Sequence, residues 1–266
     1  MMEKKELGKT GEKIPVLGLG TWGIGGFFNP DYQRDKECVE VLAKGIELGM
    51  NFIDTAEMYA QGHSEELVGE AIKKFKREEV FIATKVSPEN LYYETVIKAA
   101  KASLSRLKSS YIDLYQVHWP NPSIPIKETM RAMEYLVDKG MVRYIGVSNF
   151  SIRQVEEARS SLAKYELVSN QVKYSLLDRS IEKDLLPYCQ REGLTVIAYS
   201  PLDKGNLVRF EKRGENLIKK YNKSFAQIAL NWLISKPMVI AIPKTSKLTH
   251  LMEIYHSQGW RIPCDF

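Results

Sequence analysis

The chain has 266 residues, a hydrophobic content of 44%, a charged content of 27% and a formal net charge of +5, which is typical of a soluble globular protein. No run of about 18 apolar residues occurs and the first residues lack an apolar signal core, so we expect neither a membrane-spanning helix nor secretion. Its lysines are dispersed rather than clustered, which predicts no nucleic-acid partner but suits an anionic cofactor.

Three cysteines, Cys38, Cys189 and Cys264, are far apart in the chain. The absence of C-x-x-C spacing argues against a disulfide framework and against a zinc site. Unpaired cysteines of this kind fit a reducing compartment. We therefore expect a cytoplasmic protein without a metal centre.

The first predicted element is a β-hairpin over Lys5–Pro15, where two glycines separate short apolar runs. Short β-rich runs then alternate with amphipathic helical stretches. The predicted strands are Val16–Gly20, Asn51–Asp54, Val80–Thr84, Ile112–His118, Tyr144–Ser148, Val168–Gln171, Thr195–Tyr199 and Val239–Ile242. The predicted helices are Asp35–Leu48, Ser64–Lys74, Tyr92–Leu107, Lys127–Lys139, Ile152–Ala163, Asp184–Arg191, Phe225–Ile234 and Thr249–His256.

Turn and cap residues agree with these boundaries. Gly49, Gly140 and Gly193 occupy expected helix C-caps, and Ser64 and Ser151 occupy expected N-caps. Eight strand–helix units favour a closed (β/α)8 TIM barrel over an open doubly wound sheet. Because no linker or repeat is evident, we predict a single domain over residues 1–266, with an N-terminal β-hairpin and a short C-terminus.

The stretch from Gly18 to Gly23 satisfies the G-x-G-x-x-G pattern of dinucleotide-binding folds. That motif requires a helix to begin within it, so that the helix N-terminus meets the pyrophosphate. The residues that follow, including Gly25, Gly26 and Pro30, are a poor start for a helix. We interpret the glycines as a tight loop at the end of the first barrel strand.

Four polar residues lie at or just beyond consecutive predicted strands. Asp54 ends the second strand, Tyr59 follows it, Lys85 ends the third and His118 ends the fourth. Parallel strands of a barrel end at one mouth, where active sites are built. Each residue alone could have a structural role, but their joint placement favours a catalytic site.

The chemistry of this set suits a tyrosine acid. A nearby ammonium favours the ionised form of a phenol, so Lys85 can assist proton donation by Tyr59. Asp54 can hold Lys85 in place, and His118 can donate a hydrogen bond that orients a carbonyl oxygen.

Several segments resemble those of the aldo-keto reductase family, in the same order along the chain. They are Leu17–Trp22, Asn51–Tyr59, Ala83–Lys85, Gln116–Pro120, Gly146–Phe150, Asn170–Gln171, Tyr174–Ser175, Tyr199–Leu202 and Ile242–Lys244. The resemblance implies a catalytic tetrad of Asp54, Tyr59, Lys85 and His118. It also implies reversible, NADPH-dependent reduction of aldehydes or ketones to alcohols, with NADH as a possible substitute.

The same resemblance implies the remaining site residues. Ser148, Asn149 and Gln171 would bind the nicotinamide carboxamide, and Tyr174 would stack on its ring. Contacts to the rest of the cofactor are implied for Thr21, Trp22, Asp54, Ser200, Pro201, Leu202, Lys244, Thr245, Ser246, His250 and Glu253. Trp22 and Trp119 would be apolar walls of the substrate pocket, alongside Tyr59 and His118.

The chain departs from the family pattern at two points. His250 and Ile254 stand where an arginine and an asparagine are common, and a C-terminal loop that often closes over the substrate is not evident. We expect a small carbonyl substrate and a monomer or weak homo-oligomer. Two alternatives stay open: a non-catalytic regulatory subunit that binds nicotinamide, and a barrel enzyme that acts on phosphorylated sugars through Lys244.

Overall fold

The computed structural model describes residues 1–262, except for the side chains of residues 208–211 and 213. Cys264, which the sequence suggests is an unpaired thiol, lies outside the described residues. Cys38 and Cys189 are buried free thiols. Within residues 1–262, no helix is long and apolar enough to cross a membrane.

The predicted hairpin is confirmed. Strand β1 (Lys4–Glu6) pairs antiparallel with β2 (Lys13–Pro15). Leu7 and Ile14 are fully buried among apolar side chains that the barrel strands direct inward, such as Phe52. The hairpin therefore closes one end of the barrel and leaves the other end for a site.

The barrel contains eight parallel strands within the described part of the chain, each adjacent to the next in sequence order. They are β3 (Leu19–Gly20), β4 (Phe52–Asp54), β5 (Phe81–Val86), β6 (Ile112–Val117), β7 (Val142–Ser148), β8 (Leu167–Lys173), β9 (Thr195–Tyr199) and β10 (Val239–Ala241). A parallel bridge between Leu17 and Ala241 joins the first strand to the last. The predicted (β/α)8 barrel is confirmed.

The glycines of the first strand allow this closure. Gly18 N donates to Ala241 O at 2.9 Å, and Gly20 N donates to Pro243 O at 3.0 Å. A Cβ on Gly20 would lie 2.6 Å from the Ile242 carbonyl oxygen, closer than two such atoms can approach. No helix begins in this segment, since the next one starts at Asp35. The glycines thus serve barrel closure and not a dinucleotide-binding loop.

Helices cover the outside of the barrel. They are α1 (Asp35–Glu47), α2 (His63–Ile72), α3 (Tyr93–Leu107), α4 (Ile126–Asp138), α5 (Ile152–Ser161), α6 (Leu185–Glu192), α7 (Glu215–Tyr221), α8 (Phe225–Ser235) and α9 (Leu248–Tyr255). Short 3-10 segments occupy Tyr59–Gly62, Arg77–Glu79, Pro88–Asn90, Ser180–Lys183 and Asp203–Gly214. The sequence analysis missed α7, which has only 7 residues and whose apolar side chains, Leu217, Ile218 and Tyr221, are only partly buried.

Two of the predicted helix caps have different outcomes. Ser151 caps α5 as predicted, with its hydroxyl accepting from the Gln154 backbone N–H. Ser64 is not an N-cap: Gly62, with φ of 93°, precedes α2, and Ser64 lies inside the helix. Its hydroxyl donates instead to Thr21 Oγ1 at 2.9 Å, because the side chain faces the buried end of β3 rather than the free N–H groups of the helix.

Candidate active site

A buried ion pair forms the base of the site. Asp54 is the last residue of β4, and Lys85 lies in the adjacent strand β5. Lys85 Nζ donates to Asp54 Oδ2 at 2.7 Å and to the Thr55 carbonyl oxygen at 2.8 Å. Both charged side chains are excluded from solvent. Because burying a charge is costly unless it is paired, this arrangement requires both partners.

The second oxygen of Asp54 is also occupied. Gln171 Nε2 donates to Asp54 Oδ1 at 2.7 Å, and Gln116 Nε2 lies 3.4 Å from the same atom. These contacts join β4 to β6 and β8 across the barrel. Asp54 therefore has a fixed orientation, and Gln116 is a supporting residue that the sequence analysis did not identify.

Tyr59 meets this pair from the loop after β4. Its hydroxyl lies 3.2 Å from Lys85 Nζ. Ala60 and Gln61, which follow it, adopt left-handed backbone conformations with φ of 48° and 55°. Such conformations are unfavourable for residues with a Cβ. The surrounding contacts, including a 2.7 Å hydrogen bond from Ala60 N to Phe27 O, hold the segment in place.

The protonation states follow from burial and charge. Burial raises the pKa of the Tyr59 phenol, and the Lys85 ammonium opposes the increase without cancelling it. The pKa of Lys85 is raised as well, since Asp54 and Tyr59 outweigh the effect of burial. The predicted effect of Lys85 on the phenol is therefore present, but burial outweighs it. Tyr59 is protonated at neutral pH.

His118 lies directly after β6, beside Tyr59. Its ring is 5.6 Å from the Tyr59 ring and stacks on Trp119 at 3.9 Å, measured between centroids. Burial, together with Lys85, lowers the pKa of His118 to about 2. The imidazole is therefore neutral, and it can donate from one nitrogen only. Its Nδ1 atom is buried and has no hydrogen-bond partner among the described residues.

Aromatic rings line the site on the outer side. Trp22 packs edge-on against Tyr59 with ring centroids 4.9 Å apart, and Trp119 is 39% exposed. Both therefore occupy positions suitable for the predicted apolar walls. Phe27 and Phe28 also contact Trp22. The sequence analysis missed them, although two adjacent aromatic residues in a glycine-rich loop are a usable signal.

The residues predicted to bind the nicotinamide carboxamide form a connected group next to His118. Asn149 Nδ2 donates to the His118 carbonyl oxygen at 3.0 Å, and Ser148 Oγ donates to the Gln171 carbonyl oxygen at 2.9 Å. Tyr199, at the end of β9, donates from its hydroxyl to Asn149 Oδ1 at 3.0 Å. Its side chain is only partly buried. The structure thus brings Ser148, Asn149 and Gln171 together and adds Tyr199.

Tyr174 lies elsewhere. It is completely buried, its ring packs against Trp232 at 5.4 Å, and its hydroxyl donates to Glu182 Oε1 at 2.6 Å. No face of the ring is open to a cofactor, so the stacking role expected for Tyr174 does not fit the structure. Tyr174 lies beyond the end of β8, where the chain turns into the packing against α8. The position of Tyr174 after a strand did not reveal that its side chain packs against Trp232 rather than at the barrel mouth.

Beyond β10, a cationic segment leads into α9. No carboxylate in the described part of the chain forms an ion pair with Lys244, and partial desolvation lowers the pKa of its ammonium. Arg34, which the sequence analysis missed, reaches the Ser246 carbonyl oxygen at 3.5 Å. The Thr245 hydroxyl is engaged within its own turn, where it meets Lys247 N and O at 3.1 Å each.

The other predicted cofactor residues vary in their accessibility. His250 is exposed in the first turn of α9. Glu253 accepts a hydrogen bond from Ser224. Thr21 is completely buried, and its N–H donates to the Asp54 carbonyl oxygen at 3.0 Å, so it supports the tetrad rather than facing a ligand. Ser200, with φ of 49°, Pro201 and Leu202 form the turn after β9, and the first and last are partly exposed.

Comparison with known proteins matches this chain to one family. The profile of the Aldo/keto reductase family covers residues 16–258. Methylglyoxal reductase YeaE of Escherichia coli (strain K12) is 40% identical over 257 residues, which is 95% of this chain and 88% of that protein.

Solved structures give the same result. A thermostable aldo-keto reductase, Tm1743, solved with the inhibitor epalrestat, is 48% identical with a TM-score of 0.96, covering 99% of this chain and 97% of that one. An aldo/keto reductase from Klebsiella pneumoniae, solved with NADP and acetate, is 35% identical with a TM-score of 0.91, covering 100% and 93%.

Proposed function

Since this chain belongs to the aldo/keto reductase family, we propose that it reduces the aldehyde group of small 2-oxoaldehydes with NADPH. The chain is an oxidoreductase that converts carbonyl groups to alcohols. The methylglyoxal reductase of E. coli supports the substrate class, and the NADP complex of the Klebsiella protein supports the cofactor. A small, reactive aldehyde also needs few specific polar contacts, in agreement with the aromatic rings around Tyr59 and His118.

The residues present fit a nicotinamide cofactor. Asn149, Ser148 and Gln171 offer amide and hydroxyl groups next to His118, which match the hydrogen bonds of a carboxamide. The partly buried ring of Tyr199 lies at the same edge, and we assign to it the stacking contact expected of Tyr174. After β10, the ammonium of Lys244 forms no ion pair with a described carboxylate, and it fits the 2′-phosphate because a cation favours an anionic ligand.

The geometry around Tyr59 indicates how the chain assists reduction. NADPH, when bound, supplies the hydride that the carbonyl carbon receives. Tyr59 donates its hydroxyl proton to the carbonyl oxygen as that oxygen gains negative charge. Lys85, 3.2 Å away, stabilises the phenolate that remains. Asp54 keeps Lys85 charged and correctly placed.

His118 has a different part in the same step. Its neutral imidazole can donate one hydrogen bond to the carbonyl oxygen and align it with Tyr59. Because its pKa is far below neutrality, His118 does not compete with Tyr59 as the proton donor. Trp22 packs against Tyr59 and Trp119 stacks on His118, so both rings place apolar surface beside the reacting group.

The contact between Lys85 Nζ and Tyr59 OH is the observation that carries this proposal. A regulatory subunit that merely binds nicotinamide has no need of a buried phenol–ammonium–carboxylate chain, whose burial is costly. An enzyme for phosphorylated sugars would need its phosphate site near the reacting group. Among the described residues, the cation in contact with Tyr59 is Lys85, and Asp54 already neutralises it.

Replacement of Tyr59 by Phe tests the proposal. The variant keeps the ring and loses only the hydroxyl, so we expect kcat for methylglyoxal to fall about 10²–10⁴-fold, while NADPH binds as in the wild type. The loss of NADPH absorbance gives kcat, and a fluorescence titration gives the Kd of NADPH. A Tyr59→Phe variant with nearly normal kcat would exclude Tyr59 as the acid.

A further inference from the structure

The turn between β3 and α1 is a fixed part of the site. Residues 25–31 close on themselves through a hydrogen bond from Asp31 N to Gly25 O at 2.8 Å. The turn is also tied to the segment behind Tyr59, since Gln61 Nε2 donates to Asn29 Oδ1 at 2.9 Å. Its tip therefore holds a defined position relative to the catalytic tyrosine.

Phe28 projects from this tip and touches the pocket wall. Its ring lies 5.2 Å from the Trp22 ring at an interplanar angle of 79°. The ring remains 68% exposed. Burying such a ring is favourable, so its solvent exposure leaves a large apolar surface available for a ligand.

The rings form one continuous series around the reacting group. Phe28 contacts Trp22, Trp22 contacts Tyr59, Tyr59 contacts His118, and His118 stacks on Trp119. We expect the substituent of a carbonyl group held by Tyr59 and His118 to extend along this series of rings. The turn that carries Phe28 is hydrogen-bonded to Gln61, which closely follows Tyr59 in the chain.

We infer that Phe28 is a specificity-determining residue, which binds an apolar substituent of the substrate and favours an aromatic one over a methyl group. The inference rests on the proposed function, because it concerns the far end of the same carbonyl substrate. Stacked or edge-on aromatic contacts contribute beyond the area that they bury, which corresponds to about threefold to tenfold in affinity.

Phenylglyoxal and methylglyoxal provide the test, because they share the reacting group and differ by phenyl for methyl. We expect Phe28→Ala to lower the ratio of kcat/KM for phenylglyoxal to that for methylglyoxal by about threefold to tenfold, through KM of phenylglyoxal. Phe28→Leu, which keeps apolar volume, should give an intermediate ratio. An unchanged ratio in Phe28→Ala would overturn the inference.

Tyr32 offers a matched control in the same loop. It is 66% exposed, but its ring lies 4.5 Å from His63 and not against Trp22. Tyr32→Ala should leave the ratio unchanged. An equal fall in that variant would show that any disturbance of the loop suffices, and would also overturn the role of Phe28.

A binding measurement separates this inference from the proposed function. Benzoate and acetate differ by the same replacement of phenyl by methyl and are not reduced. Calorimetric titration of the NADPH complex should show a preference for benzoate that falls in Phe28→Ala. If the wild type fails to oxidise NADPH with either glyoxal, the proposed function alone is contradicted. If Phe28→Ala keeps the wild-type preference for benzoate, the role of Phe28 in binding the substituent is contradicted.

Discussion

The ends of β4–β6 and the ends of β7–β10 are two halves of one barrel mouth, and they are built differently. In the first half, Asp54 and Lys85 are sealed from solvent and pair with each other. In the second half, Lys244 forms no ion pair with any carboxylate whose side chain is described, and Ser200 is partly exposed. In the first half the two charged side chains neutralise each other. In the second half no described carboxylate neutralises the Lys244 ammonium.

The difference matches the tasks of the two halves. Charge that develops during a reaction is stabilised best by dipoles and ions that are already in place and shielded from water. A site that must take up and release a large cofactor needs polar groups that solvent can reach when it leaves. Changes in the first half should therefore reduce kcat, and changes in the second should weaken cofactor binding.

Removal of the Lys85 charge should have the largest effect. We expect Lys85→Met to lower kcat about 10²–10³-fold, because the phenolate of Tyr59 loses its stabilising cation, with little change in the Kd of NADPH. The free energy of unfolding should also fall by about 3–5 kcal/mol, since Asp54 stays buried without its partner. Steady-state kinetics and urea unfolding measure the two effects.

A second substitution separates stability from catalysis in that experiment. Adding Asp54→Asn to Lys85→Met removes the orphaned charge while Gln171 can still donate to the amide oxygen. We expect most of the stability to return and kcat to stay low. Recovery of kcat in the double variant would mean that Lys85 acts only through folding, and the contrast between the two halves would disappear.

Loss of Lys244 should have a smaller effect, confined to the cofactor. Lys244→Ala should weaken NADPH binding about tenfold or more, as is usual for a lost charge-assisted hydrogen bond, and should leave NADH affinity and kcat at saturating NADPH nearly unchanged. Fluorescence titrations with the two cofactors give the comparison.

Lys108 supplies the control for net charge, because it pairs with Glu70 on the outside of the barrel. Lys108→Ala removes one positive charge and should not alter the preference for NADPH. Partial desolvation lowers the pKa of Lys244, so the wild-type preference should decline with rising pH before an ordinary lysine would titrate. Equal losses of NADPH and NADH affinity in Lys244→Ala would place Lys244 away from the 2′-phosphate.

Substitution of His63, which lies on α2 outside both halves of the mouth, should have the smallest effect. Its ring nitrogens meet Asp35 at 3.0 Å and Glu66 at 2.8 Å. Burial lowers the pKa of His63, but the two carboxylates outweigh it and the pKa is raised. The stabilisation is therefore complete below the unfolded value of about 6.5 and is lost as pH rises through the folded pKa.

Thermal unfolding of His63→Gln tests this interaction. At pH 6 the variant should be less stable than the wild type by about 1 kcal/mol, because Glu66 is largely exposed, which corresponds to about 2–4 °C in Tm. The difference should vanish at alkaline pH, and kcat for methylglyoxal should be nearly unaffected. A difference that grows with pH would contradict the charged state assigned to His63.

The sequence was sufficient for the barrel and for bringing the four residues of the tetrad to one mouth. Strands and helices leave local periodic signals, so their order and approximate bounds were predictable. Asp54, Tyr59, Lys85 and His118 could be placed at one mouth because parallel strands end at the same edge. Helix α7 was missed, since its 7 residues are too few to show a clear helical period.

Contacts between distant parts of the chain were decided only by the tertiary structure. Two tyrosines at the ends of neighbouring strands, Tyr174 and Tyr199, look alike in sequence, yet one is buried against Trp232 and the other borders the site. The net pKa direction of Tyr59 depends on how completely the barrel excludes water. The burial of a residue depends on every strand and loop that packs around it. A local sequence pattern therefore predicts the element on which a side chain lies, but not the residues that surround it.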